Sequence, residues 1–291
     1  MDDFARAAGF KGLITKRRKF HHIVKTAAED ERSRREFRAS DDRRATECYR
    51  YCGKGFGLAA YYQKNSESVL KMRRWEVFAE SDHVMGLSDI FVERGMDGQF
   101  YAFCEDEETG SEFEFRLNNM IEYRQKRASF FFKGAPFYVN MAGLASRGTV
   151  LMPSPKYGRS LRFNEFERSE YKELLTRARR GDIVAESALN DKALEMAVLM
   201  RERLKSRDLL SALEGYLLPV GDLEGVFAVL GDITGVDGEE NEITGENVLR
   251  LSVDIIGIRL TVYVNAGDLL GDLMVGTRFL GICKLQGSIV F

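Results

Sequence analysis

This sequence predicts an α+β chain in three successive parts: an N-terminal antiparallel sheet with flanking helices, a helical connector and a C-terminal small OB-like β-barrel. Three observations predict it. Aromatic-rich runs with a period near two fill residues 48–153, and leucine- and alanine-rich helical runs fill 169–217. A second set of strictly alternating runs then fills 226–291. The corresponding domain boundaries are 1–165, 166–218 and 219–291. With 291 residues and 44% apolar composition, the chain has length for two domains and enough apolar surface for a sizeable core.

The first element, MDDFARAAGF, reads as a short helix. Asp2 and Asp3 sit at the positive end of its dipole, and Gly9 can end it. A second helix spans 16–29, where Phe20, Ile23, Val24 and Ala27 recur at helical spacing and face the core. Lys16, Arg17, Arg18 and Lys19 lie at its wet end. Residues 30–46 are charged and aperiodic, and read as an exposed loop or frayed helix. CYRYCGKGFGLAAYYQ, from Cys48, reads as a strand with a turn or bulge at Gly53, Gly55 and Gly57. WEVFAE at 75–80 is a further strand, and QFYAFC at 99–104 suits a central one. In EFEFRL, at 112–117, Phe113, Phe115 and Leu117 face in while Glu112, Glu114 and Arg116 face water. The polar link ending at Gly110 makes those two runs a hairpin. APFYVNM at 135–141 and GTVLMP at 148–153 continue the sheet.

Three helices follow. SEYKELLTRARRGD has Ser169 as N-cap, arginines in its last turn and Gly181 beyond its end. The next two span 183–204 and 207–217, with a break at Ser206 or Asp208. LLPVGD at 217–222 marks the boundary to the barrel. There VFAVLGDITG at 226–235 is a strand with a glycine bend. Leu249 to Ile255 and Ile258 to Val264 alternate around a turn at Gly257, leaving Arg250, Arg259 and Tyr263 on a wet face. In the closing strand Phe279, Cys283, Leu285, Ile289 and Phe291 share one face with Gly281 and Gly287, where a coiled strand needs room.

MDDFARAAGF, GYLLPVGD and NAGDLLGDLMVGTRFLGICKLQGSIVF resemble, over the full length and most specifically at the C-terminal end, an uncharacterised family of clostridial-type bacterial proteins. That family carries a domain-of-unknown-function label. The resemblance implies a bacterial, cytoplasmic protein and no activity, ligand or catalytic residue. An arginine-rich N-terminal region departs from the family pattern.

Charge is uneven: residues 1–50 hold 14 Lys and Arg against 9 Asp and Glu, whereas 208–291 hold 4 against 13. A basic front and an acidic back could dock, within a chain or between chains. The acidic barrel repels phosphate and so disfavours nucleic acid. No apolar core separates the charges of residues 1–25, and no apolar run could span a bilayer, so neither a secretory leader nor a membrane partner is expected. Four scattered cysteines fit a reducing cytoplasm. Cys48 and Cys52, four apart on a strand, are too distant for a disulfide and lack a second ligand pair. GKGFG lacks the features of a phosphate loop, and DGEENEITGE (237–246) has Glu242 and Val248 where a calcium loop needs glycine and a bidentate acid. His21, His22 and His83 fit no nucleophile or zinc pattern.

The residues therefore nominate no catalytic, cofactor-binding or metal-ligating group. They nominate one basic interaction patch, Lys16, Arg17, Arg18 and Lys19. The expected role is non-enzymatic binding or scaffolding toward a protein partner, self included. The alternatives are nucleic-acid binding by the basic front with the barrel, and an enzyme with an unrecognised site.

Overall fold

The computed structural model describes residues 3–30, 32–40, 43–64, 69–106, 112–120, 122–124, 126, 137–153, 165–205 and 208–291. The protein is α+β and mostly sheet. Two 3-10 turns, Asp3–Ala8 and Lys11–Leu13, precede α1 (Arg17–Glu29). Phe20 and Val24 of α1 are fully buried, as their spacing predicts. Next come β1 (Arg34–Ser40), β2 (Arg43–Gly53), β3 (Phe56–Lys64) and β4 (Leu70–Ala79), which pair in chain order as a four-stranded antiparallel sheet. A ten-stranded mixed sheet contains β5 (Val84–Arg94), β6 (Phe100–Asp106), β7 (Glu112–Leu117) and β8 (Phe137–Leu151). The helices α2 (Glu165–Arg179), α3 (Ile183–Leu204) and α4 (Leu209–Ala212) interrupt it. It is completed by β9 (Tyr216–Pro219), β10 (Val226–Glu240), β11 (Asn247–Ile255), β12 (Ile258–Asn265), β13 (Leu269–Leu270) and β14 (Arg278–Val290).

Several elements differ from the sequence reading. Residues 34–40 and 43–46 are strand, not loop or helix. β1 lies at the sheet edge, where charged residues are the usual occupants because they discourage pairing with another chain. β5 carries no simple alternation because its pairing with β6 shifts register between Leu87 and Asp89, which reverses the faces halfway along. Residues 137–151 form one long strand instead of two. Gly148, the start of the second run in the sequence reading, lies inside this strand at a point of close approach, since a Cβ there would lie 2.5 Å from Phe279 Cε2. Ser169 lies inside α2 and is not its cap, and the helix expected at 207–217 shrinks to α4. Leu217–Pro219, where a boundary is expected, belongs to β9, paired with β10. Gly110, expected in the β6–β7 link, lies outside the described residues.

Pairing in the larger sheet returns to its start. β10 pairs with β11, β11 with β12, β12 with β8, β8 with β14, and β14 with β10. Four of these strands come from the C-terminal region; the fifth, β8, precedes the helices. Residues 219–291 thus do not close a ring alone. A second circuit, β8 to β5, β6, β7, β14 and back, shares the β8–β14 ladder. Phe279, Cys283, Leu285 and Ile289 of β14 are buried in the common core, and Phe291 packs half-buried just past the strand. Gly281 lets this ladder close: a Cβ would lie 2.7 Å from the Arg147 carbonyl oxygen, which cannot give way without breaking the sheet.

Candidate functional site

The two sheets meet along a polar seam. Arg116 of β7, expected to face water, is 3% exposed because β4 covers that face. Its guanidinium donates to Glu76 Oε2 at 2.9 Å, to the Val77 carbonyl at 3.0 Å, to Asn118 Oδ1 at 3.1 Å and to Gln286 Oε1. The Tyr61 hydroxyl donates to the other oxygen of Glu76 at 2.5 Å. Burial, reinforced by the charge of Glu76, pushes the Tyr61 phenol far above its ordinary pKa. This residue set joins β3 and β4 of the small sheet to β7 and β14 of the large one.

Beside the seam lies a cleft of about 320 Å³. Glu47, Tyr49 and Tyr51 of β2 and Phe78 and Glu80 at the end of β4 form one wall; Asn118, Asn119, Glu122, Asn140 and residues 288–291 form the other. The Tyr49 hydroxyl donates to Glu47 Oε2 at 3.1 Å, and the Tyr51 hydroxyl lies 3.0 Å from both oxygens of Glu80. Burial first, and the Glu47 charge second, raise the Tyr49 phenol, so it is a proton-bearing donor. Asn119 holds the end of β14, donating to the Ile289 carbonyl at 2.7 Å and accepting from its amide at 3.0 Å. Among the described residues, three side-chain carboxylates line the cleft, Glu47, Glu80 and Glu122, and Lys126 pairs with the last of them at 2.6 Å.

The basic front and acidic back dock within the chain. Arg6 and Lys11 pair with Asp268 at 2.8 and 2.7 Å. Arg32 and Arg50 reach Glu242 at 3.4 and 3.0 Å. The acidic loop at 237–246 is the clamp. Fully buried Asn241 donates to the Ala8 carbonyl at 2.6 Å, and Glu246 accepts from the amides of Lys11 and Gly12 at 3.0 and 2.8 Å. Among the described residues no group of three His, Cys, Asp or Glu side chains is arranged to hold a metal.

Of the residues singled out from sequence, Lys16, Arg18 and Lys19 are exposed at the start of α1, with no ion-pair partner among the described residues; Arg17 is the first residue of that helix. Lys16 occupies the cap position without a side-chain cap, and no acidic residue stands in the first turn. Cys48, Cys52, Cys104 and Cys283 are buried and form no disulfide among the described residues, and burial pushes the Cys52 thiol up to about 12. His21 and His22 are exposed on α1, and His83 is half-buried beyond β4. Tyr263, expected on a wet face, is fully buried because the small sheet covers β12. Its hydroxyl donates to the Glu80 carbonyl at 2.9 Å, and burial lifts its pKa to about 12.

Sequence reasoning passed over one surface. α2 and α3 form an antiparallel hairpin tied by Lys192–Glu170 at 3.0 Å, and among their described residues only Ala185 is buried. Asp182 caps α3 through the amides of Val184 and Ala185. Tyr171, Leu174 and Ala178 of α2 and Leu189, Met196 and Leu199 of α3 are half-buried, while Ile183, Val184, Leu194, Val198 and Leu204 stand exposed. Apolar residues all round a helix signal burial on more than one side; here the chain covers one. That signal was present in the sequence.

No helix among the described residues is long and apolar enough to cross a membrane. No curated protein and no solved structure matches the chain. The family described as a domain of unknown function from an E. rectale gene description (DUF3881) matches residues 5–287, so the chain belongs to that family.

Proposed function

We propose that this is a cytoplasmic, non-enzymatic binding or scaffolding protein that acts on a protein partner, with the α2–α3 hairpin as its docking element. One observation carries this reading: Leu194 and Val198, 65% and 53% exposed, lie on the side of α3 turned away from α2. Exposed apolar residues gathered on one projecting element are the mark of a protein contact. Buried thiols that form no disulfide among the described residues fit a reducing compartment.

We read the β10–β11–β12–β8–β14 circuit as an OB-like barrel. Such barrels offer nucleic acids the face around their second and third strands. Here Thr261 and Tyr263 of the third strand bond to Ser81 and to the Glu80 carbonyl, beneath the small sheet. Arg6, Lys11, Arg32 and Arg50 are engaged by carboxylates of the back. Both points favour protein over nucleic acid, and Lys16, Arg17, Arg18 and Lys19 then act as an accessory patch for an acidic surface.

Photo-crosslinking tests the docking element. A photoreactive residue at 194 or 198 should give one discrete protein adduct in living cells, and one at the half-buried Met196 should not. Equal, background-level yields at all three positions would contradict the proposal.

A further inference from the structure

We infer that the outward face of α3 pairs, antiparallel and about a two-fold axis, with the same face of a second copy of this chain. This rests on reading the hairpin as a docking element and names its occupant. Val184, Ser187, Asp191, Leu194, Val198 and Arg201 recur at alternating spacings of three and four, and all are exposed. That is the spacing of a two-helix seam, on the side opposite the half-buried residues that meet α2.

The seam complements itself in one direction only. Centred between Leu194 and Val198, an antiparallel pair sets each Leu194 against the other copy's Val198. It sets each Asp191 against the other copy's Arg201, an opposite-charge contact made twice, because a two-fold interface repeats every contact. A parallel pair would oppose Asp191 to Asp191 and Arg201 to Arg201. Neither Asp191 nor Arg201 has an ion-pair partner among the described residues of its own chain. Ala197, small and exposed, flanks the seam on one side. Residues 165–205 carry nine basic and nine acidic side chains, so two copies meet without net repulsion, and a polyanion or polycation gains no attraction.

Sedimentation equilibrium from micromolar to near-millimolar protein tests this. The mass should rise from 33.1 kDa toward twice that value. L194E/V198E should hold it at the monomer. D191R alone and R201D alone should each weaken association on the order of tenfold or more by placing like charges face to face, and D191R/R201D should restore it. Circular dichroism checks that the helix persists, and Leu194→Ser replaces any variant that loses it. A wild-type protein monomeric throughout, or a dimer indifferent to L194E/V198E or not rescued by the double swap, overturns the pairing. The docking reading fails separately, if residue 194 crosslinks to nothing; an adduct of a mass other than the doubled chain would leave it standing.

Discussion

Arg116 and Glu76 are both removed from water, so each depends on the other's charge. Arg116→Met strands a buried carboxylate and should cost roughly 3–5 kcal/mol in urea unfolding. Adding Glu76→Gln removes the stranded charge and should recover part of the loss. A single variant as stable as the parent would refute the pair's structural role. Asp30 is a different case, half-buried and held down to about 2 from 3.8 by its bond to Arg32. A depressed carboxyl stabilises above its unfolded pKa and loses that contribution as pH falls through the folded one. The stability gap between parent and Asp30→Asn should therefore be constant above pH of about 4 and close toward pH 2; a gap unchanged at pH 2 would exclude the linkage. Alternation placed Arg116 and Tyr263 on the correct strand face. It could not reveal that a second sheet covers that face, because the covering strands lie far away in sequence.

α1 begins against its own dipole. Lys16, Arg17, Arg18 and Lys19 crowd the positive end, with no cap and no acidic residue in the first turn. R18E/K19E should accordingly raise stability, by roughly 0.3–1 kcal/mol per residue at low salt. A fall in thermal midpoint would mean that these cations are held by contacts within the fold. The elements legible in advance were those with local signals. The β11–β12 hairpin turns on Ile256 and Gly257, whose φ values of 54° and 100° match a two-residue turn of the kind glycine favours. α3 runs over Ile183–Leu204, as read from its alanines and leucines, with Asp182 capping its start. β1 and β5 escaped notice because an edge position tolerates charge and a register shift scrambles alternation. The unity of β8 was hidden by glycines that mark tight packing.

At the scale of the molecule, two circuits of strands share the β8–β14 ladder, and the small sheet covers Arg116 of one and Tyr263 of the other. The acidic loop at 237–246 clamps the basic front onto the back. Composition indicated a charge-opposed pair of ends, and the fold brings them together within one chain. The cleft was not legible, since its walls come from β2, β4 and the end of β14, brought together only by tertiary packing. Arg179 ties the hairpin to Glu105 of β6, and the outward face of α3, with Leu194 and Val198 65% and 53% exposed, has no cover among the described residues. The most direct measurement is the urea stability of L194E/V198E in dilute solution, where copies do not meet. An uncovered face predicts a change within about 0.5 kcal/mol of the parent, as for ordinary surface substitutions. A loss beyond about 2 kcal/mol, as for charges forced into a core, would show the face buried in its own chain and contradict its role as a docking surface.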